Sequence, residues 1–183
     1  AMAALSAIAC AGVWLSLKPG LRVAPLQFSS WISVFRNPLL LCIMVVTLLS
    51  MSGQFTIVSY LAPTLRKAFG ASSGEIAAMF AVFGVAGVAG NYLATRAVGW
   101  FGVDLAVLAS LLSLVIGVGL LGLFFGSYHW AIVAGIVWGL GSFSSNSLQQ
   151  SRLVAVAPAL AAATVALNTS AVYLGQSVGA AAG

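Results

Sequence analysis

Long apolar runs separated by short polar breaks organise this chain. Crossing a hydrocarbon core ~30 Å thick at 1.5 Å per residue takes about 20 apolar residues. Six runs reach or approach that length: 1–17, 38–62, 75–97, 103–125, 130–149 and 158–183. The breaks between them have turn and cap chemistry. Lys18, Pro19 and Gly20 stop the first run, and Asn37-Pro38 opens the second with proline in the first turn, where its missing N–H costs nothing. Pro63 marks the far end of that run, and 63–74 is expected to be a loop. Ser72 to Glu75 supplies a hydroxyl cap and an acid at the start of the third run. Gly99 and Gly102 turn the chain into the fourth, Gly126 to Trp130 into the fifth, and 149–158 links the fifth to the sixth. The pattern predicts an all-α, polytopic transmembrane helical bundle of about six spans. Both ends stop inside apolar sequence, so 1–17 is expected to be a truncated span, 18–37 a linker, and 38–183 a bundle of five spans with the last one cut.

Glycine spacing adds contacts to this outline. Gly84, Gly87 and Gly90 stand three apart in the third run, Gly175 and Gly179 four apart in the sixth, and Gly135 and Gly139 four apart in the fifth. In a bilayer, lipid is as apolar as leucine, so helices associate by close contact along such bare faces. Packing among the six spans and docking of a partner outside this chain both fit. The faces of the third and sixth runs are expected to be docking surfaces for such a partner.

Composition confirms the solvent. Of 183 residues, 62% are hydrophobic and 5% charged, and the mean hydropathy is +1.13, far from a soluble domain at roughly 25% charged. The formal net charge of +5 comes from basic residues scattered singly, with no contiguous patch, which sets nucleic acid aside. Cys10 and Cys42 lie inside apolar runs as small hydrophobes. Lys18, Arg22, Arg36, Arg96 and Arg152 fall on one side of the predicted spans, and Arg66 and Lys67 on the other, so the first side is expected to be cytoplasmic. On that side Trp31 and Phe35 stand where an interfacial anchor or a surface helix would sit.

A charge inside a bilayer is costly and marks a pathway or proton relay. The spans hold none at mid-depth: Glu75 and Asp104 are at helix starts, and His129 is in a turn beside Trp130. No acid, base or metal-ligand set for membrane-embedded catalysis is present, so neither an enzyme nor a cofactor is expected. Uncharged polar residues do align. Thr47, Ser50 and Gln54 share a face of the second run, with Tyr60 farther along. Ser142, Ser145, Asn146 and Gln149 share a face of the fifth, and Thr169, Tyr173 and Gln176 one of the sixth, with Asn168 adjoining. Hydrogen bonding between helices accounts for such stripes as well as a watery cavity does. Gln54, Asn146 and Gln176 are costlier to bury and favour the cavity. The candidate solute-binding residues are therefore Thr47, Ser50, Gln54, Tyr60, Ser142, Asn146, Thr169, Tyr173 and Gln176.

The stretch from Phe55 to Gly102 (FTIVSYLAPTLRKAFGASSGEIAAMFAVFGVAGVAGNYLATRAVGWFG) resembles the seventh and eighth helices of major facilitator superfamily transporters, in the drug and sugar efflux branch of twelve-span proton antiporters. The stretch from Leu148 to Gly183 is similar to the tenth-to-eleventh region of the same branch. Gly90, Asn91 and Arg96 match the branch's cytoplasmic loop motif, but Gly99 and Trp100 stand where its acid and second base would fall. The resemblance covers nearly the whole chain, from the sixth helix into the eleventh, and implies the end of the N-terminal half and most of the C-terminal six-helix half of an alternating-access secondary transporter, with its last helix and the rest of the N-terminal half, its partner in the same protein, missing. It further implies proton-coupled efflux of small organic solutes such as drugs or sugars, across the bacterial cytoplasmic membrane. The alternatives are a passive channel or facilitator and a non-transporting membrane subunit.

Overall fold

The computed structural model describes residues 2–16, 28–123 and 127–183. Its helices are α1 (Met2–Ser16), α2 (Phe28–Phe35), α3 (Pro38–Phe69), α4 (Ser73–Phe101), α5 (Val103–Leu123), α6 (Tyr128–Val156) and α7 (Ala161–Ala182), with a short 3-10 turn at Pro158–Leu160 before the last. Five of them, α3 to α7, are long and apolar enough to cross a membrane. With 15 residues, α1 reaches about 22 Å, short of the core thickness. Most of the expected linker, 17–27, lies outside the described residues, as does part of the turn before α6.

The helices outrun the sequence boundaries, and the caps explain why. Asn37 accepts hydrogen bonds from the Leu39 and Leu40 amides, and α3 then continues through Pro63 to Phe69. Pro63 was expected to end this helix. A proline inside a helix removes one backbone bond, and the turns beyond it are held by Gly70. Gly70 adopts φ 63°, ψ 23°, and its N–H reaches back to the Arg66 carbonyl, a left-handed cap that glycine adopts without a Cβ penalty. Ser72 and Glu75 form a reciprocal capping box at the start of α4. That helix runs to Phe101 and turns at Gly102 alone (φ 82°). Asn91 and Arg96, assigned from the sequence to a cytoplasmic loop motif, therefore lie inside α4, where Arg96 donates to the Tyr92 hydroxyl at 2.8 Å. The cause is that Gly99 does not break a helix it only weakens.

Two hydrogen-bonded ties order the ends. The Tyr128 hydroxyl donates to the Glu75 carbonyl at 2.7 Å, joining the starts of α6 and α4. At the opposite end Arg152 Nε lies 2.8 Å from Asp104 Oδ1, joining the end of α6 to the start of α5. The first apolar cluster gathers Leu61, Leu65, Met79, Leu121 and Trp138, and a second gathers Val34, Leu40, Ile43, Leu153 and Ala163. Helix α6 is the hub, packing on α5 and α4 most heavily and also on α3 and α7, while α3 pairs with α7.

The glycines determine these pairings. A Cβ on Gly90 would collide with the Leu140 backbone of α6, and one on Gly87 with the Phe143 ring. A Cβ on Gly175 or Gly179 would strike the Leu48 or Ser52 carbonyl of α3. These faces were expected to dock a partner outside the chain. Instead they are filled from within it, because backbones stripped of side chains draw their own neighbours into contact. Gly84 differs: beyond its own helix backbone, none of the described residues stands within 4 Å of a Cβ there.

Candidate functional site

Where α3, α4, α6 and α7 converge, they leave a cavity of about 350 Å³. Helical periodicity aims Met51, Gln54, Phe55 and Val58 into it from α3, and Ser142, Phe143 and Asn146 from α6. Phe83 comes from α4, and Val172 and Gln176 from α7. The aromatic wall is tied together: Phe83 sits 4.7 Å from Trp138 and 5.9 Å from Phe143, centroid to centroid, within the range of favourable ring contacts.

Polar groups in this apolar cup belong to one network. Gln54 is 3% exposed, and its amide accepts from the Ser142 hydroxyl while donating to Ser50 Oγ at 3.3 Å. One turn along α6 from Ser142, the Asn146 carbonyl oxygen accepts from Asn168 Nδ2 at 3.5 Å. Asn146 also lines a second space of about 10 Å³, together with Thr47, Ser50, Ser145 and Gln149. That volume is about one water molecule's probe sphere. Gln149 Oε1 and Asn168 Oδ1 are buried without a protein hydrogen-bond partner, so a water in this space would satisfy the acceptor facing it. Among the described residues, no charged side chain lines either space. Such a site can hold an uncharged, hydrogen-bonding solute against aromatic faces.

Of the nine candidates read from the sequence, Gln54, Ser142, Asn146 and Gln176 line the main cavity, and Thr47 and Ser50 line the small space beside it. Tyr60, Thr169 and Tyr173 line neither. The Tyr60 hydroxyl donates to the Ala180 carbonyl at 3.2 Å, the Thr169 hydroxyl donates to the Val165 carbonyl at 2.9 Å, and Tyr173 is 64% exposed. The reason is helical phase. The buried face of α7 is Asn168, Val172, Gly175 and Gly179, and at 100° per residue the Thr169–Tyr173 stripe is roughly a quarter turn or more away from it. Sequence reading missed the apolar walls, Met51, Phe55, Phe83 and Phe143, which carry no mark separating them from lipid-facing residues. Asn168 and Gln149 could have been chosen by the burial cost of an amide, the signal that found Gln54.

Comparison with known proteins follows the same outline. Residues 1–180 match the Major Facilitator Superfamily profile. The chain is 29% identical to the "Inner membrane transport protein YdhP" of Escherichia coli over the whole of this chain and 47% of that protein. It is 29% identical to an "Uncharacterized MFS-type transporter YfhI" of Bacillus subtilis over 87% of this chain and 40% of the relative. A "Probable sugar efflux transporter" of Helicobacter pylori is 32% identical over 68% of this chain and 32% of its own length. The chain thus spans about half the length of the first of these relatives or less. No solved structure matches it significantly. With five apolar spans packed through glycine faces, four of them around a largely apolar cavity, and a profile match over nearly its full length, this multi-pass membrane chain belongs to the Major Facilitator Superfamily.

Proposed function

We propose that the chain forms one side of the solute pathway of a secondary active transporter that exports small, uncharged organic solutes such as sugars or neutral drugs by alternating access. The observation that carries this reading is the mid-bundle cavity, in which Gln54, Ser142, Asn146 and Gln176 present hydrogen-bonding groups between aromatic walls. Transport as such is supported by the names of the relatives, and efflux by one of them. A companion half of the same protein would supply the opposite wall, since repeat architectures of this kind bind solute between halves near the midplane. The bacterial cytoplasmic membrane is the proposed location, with the start of α3 on the cytoplasmic side.

Proton coupling is part of the proposal, and its titrating groups would come from that companion half. The chain has two acids in all, and both stand in the first turns of helices, Glu75 on α4 and Asp104 on α5. The same observation favours passive facilitation as the second reading. Inverted vesicles carrying the full-length protein separate the two. Accumulation of a labelled sugar under an imposed proton gradient, abolished by a protonophore, supports coupled export. Equilibration indifferent to the gradient supports a facilitator. Absence of flux across a panel of neutral sugars and neutral drugs rejects both.

A further inference from the structure

Helix α2 (Phe28–Phe35) carries a stripe that the bundle does not use. Phe28, Trp31, Ile32 and Phe35 fall within about 100° of arc on a helix, with Ser30 and Ser33 on the opposite side. Phe28, Ile32 and Phe35 are 79%, 42% and 58% exposed, and Trp31, at the edge of the stripe, is half-buried. Val34, off the flank of the stripe, is fully buried with Leu40, Ile43, Leu153 and Ala163 and pins α2 to the ends of α3, α6 and α7.

Two features fix what meets the stripe. At eight residues the helix is about 12 Å long and cannot cross a bilayer. Only Arg36 and Asn37 separate it from Pro38, where the membrane-crossing α3 begins, so it is held at the depth of the membrane surface. The exposed residues of α3 that follow, Leu39, Val45, Val46 and Leu49, carry the same apolar surface into the bilayer. Arg36, exposed at the C-terminal end of α2, places a cation at headgroup level.

We propose that α2 is a membrane-surface helix that seats Phe28, Trp31, Ile32 and Phe35 in the boundary between headgroups and acyl chains, with Arg36 recognising anionic lipid headgroups. This is the physics of interfacial amphipathic helices, in which an apolar stripe gives depth and a basic residue gives lipid preference. It holds whatever solute the transporter carries.

The test uses the full-length protein on a cysteine-free background, with a nitroxide at Ile32→Cys or Ser33→Cys, in vesicles of phosphatidylcholine with or without phosphatidylglycerol. Collision rates with oxygen and with a water-soluble nickel chelate are compared. The Ile32 label should favour oxygen and the Ser33 label nickel. Nickel preference at both positions, or shielding of Ile32 from both reagents by protein, overturns the proposal. Adding Arg36→Gln should lower the docked population relative to the undocked about fivefold in the anionic vesicles, the weight of one basic residue at such a surface, and leave it unchanged in pure phosphatidylcholine. Equal populations in both lipids overturn the headgroup assignment.

Discussion

The Ser142 hydroxyl donates to the side-chain oxygen Oε1 of Gln54, and through that bond α6 and α3 meet at the cavity. The buried Gln54 amide also donates to Ser50, so a solute hydroxyl arriving there would exchange with bonds already formed rather than with bulk water.

Replacing Gln54 with leucine keeps volume and removes both bonds. Interhelical hydrogen bonds in membranes contribute ~0.6 kcal/mol on average, with a maximum near ~1.7, so thermal stability in detergent should change little. Solute flux should fall at least tenfold, or about 1.4 kcal/mol, if a solute bonds the amide. A large stability loss with normal flux per folded molecule would instead make Gln54 a packing residue.

Glycine substitutions should rank by what a Cβ meets. Gly90→Ala runs into the Leu140 backbone, which cannot move aside, whereas Gly87→Ala meets the half-exposed Phe143 ring, which can swing away. Gly84→Ala meets nothing within 4 Å. Overpacking typically costs ~1–3 kcal/mol. The expected order of destabilisation in melting curves is Gly90, then Gly87, then Gly84, the last neutral or slightly stabilising because alanine is the better helix former. Gly90 should rank above Gly87 both in this chain and in the full-length protein, since the surfaces these two meet lie within this chain.

Ser72→Ala removes one arm of the capping box, in which Ser72 Oγ accepts from the Glu75 amide at 3.2 Å and Glu75 Oε2 accepts from the Ser72 amide at 2.8 Å. Loss of such a cap costs about 1 kcal/mol. Faster hydrogen exchange should appear at the first amides of α4 and not at Tyr92, two-thirds of the way along the helix.

The pair Asp104–Arg152 should contribute little. Its carboxylate side chain is 75% exposed and its guanidinium 32%, and exposed ion pairs are worth ~0–1 kcal/mol and weaken with salt. A double-mutant cycle with Asp104→Asn and Arg152→Gln should give a coupling energy below about 1 kcal/mol that shrinks further at high salt.

The helical bundle was legible because length and hydropathy leave few other solutions for such a chain in a bilayer. Boundaries were less so. Pro63 and Gly99 are helix breakers by propensity, yet α3 and α4 pass through them and stop at Gly70 and Gly102, where a positive φ is required. The cavity was half visible. Amides such as Gln54 and Asn146 stand out because burial is costly for them, whereas Phe83 and Met51 are no different in type from residues facing lipid. Tyr173 and Thr169 line neither space because a polar stripe gives a face but not its phase, and the glycines that set the phase of α7 bind it to α3.

The enclosure of α6 bears on how the protein is made. Half of its most apolar stretch is buried, more than in any other span, and its mean hydropathy is about half that of α5. A segment so rich in serine and amide side chains is a poor substrate for partitioning out of the translocon alone. Helix α5, strongly apolar and next before it in the chain, packs against it more extensively than any other helix does. The expected consequence is that α6 partitions into the bilayer together with α5, as a hairpin, rather than as a single helix.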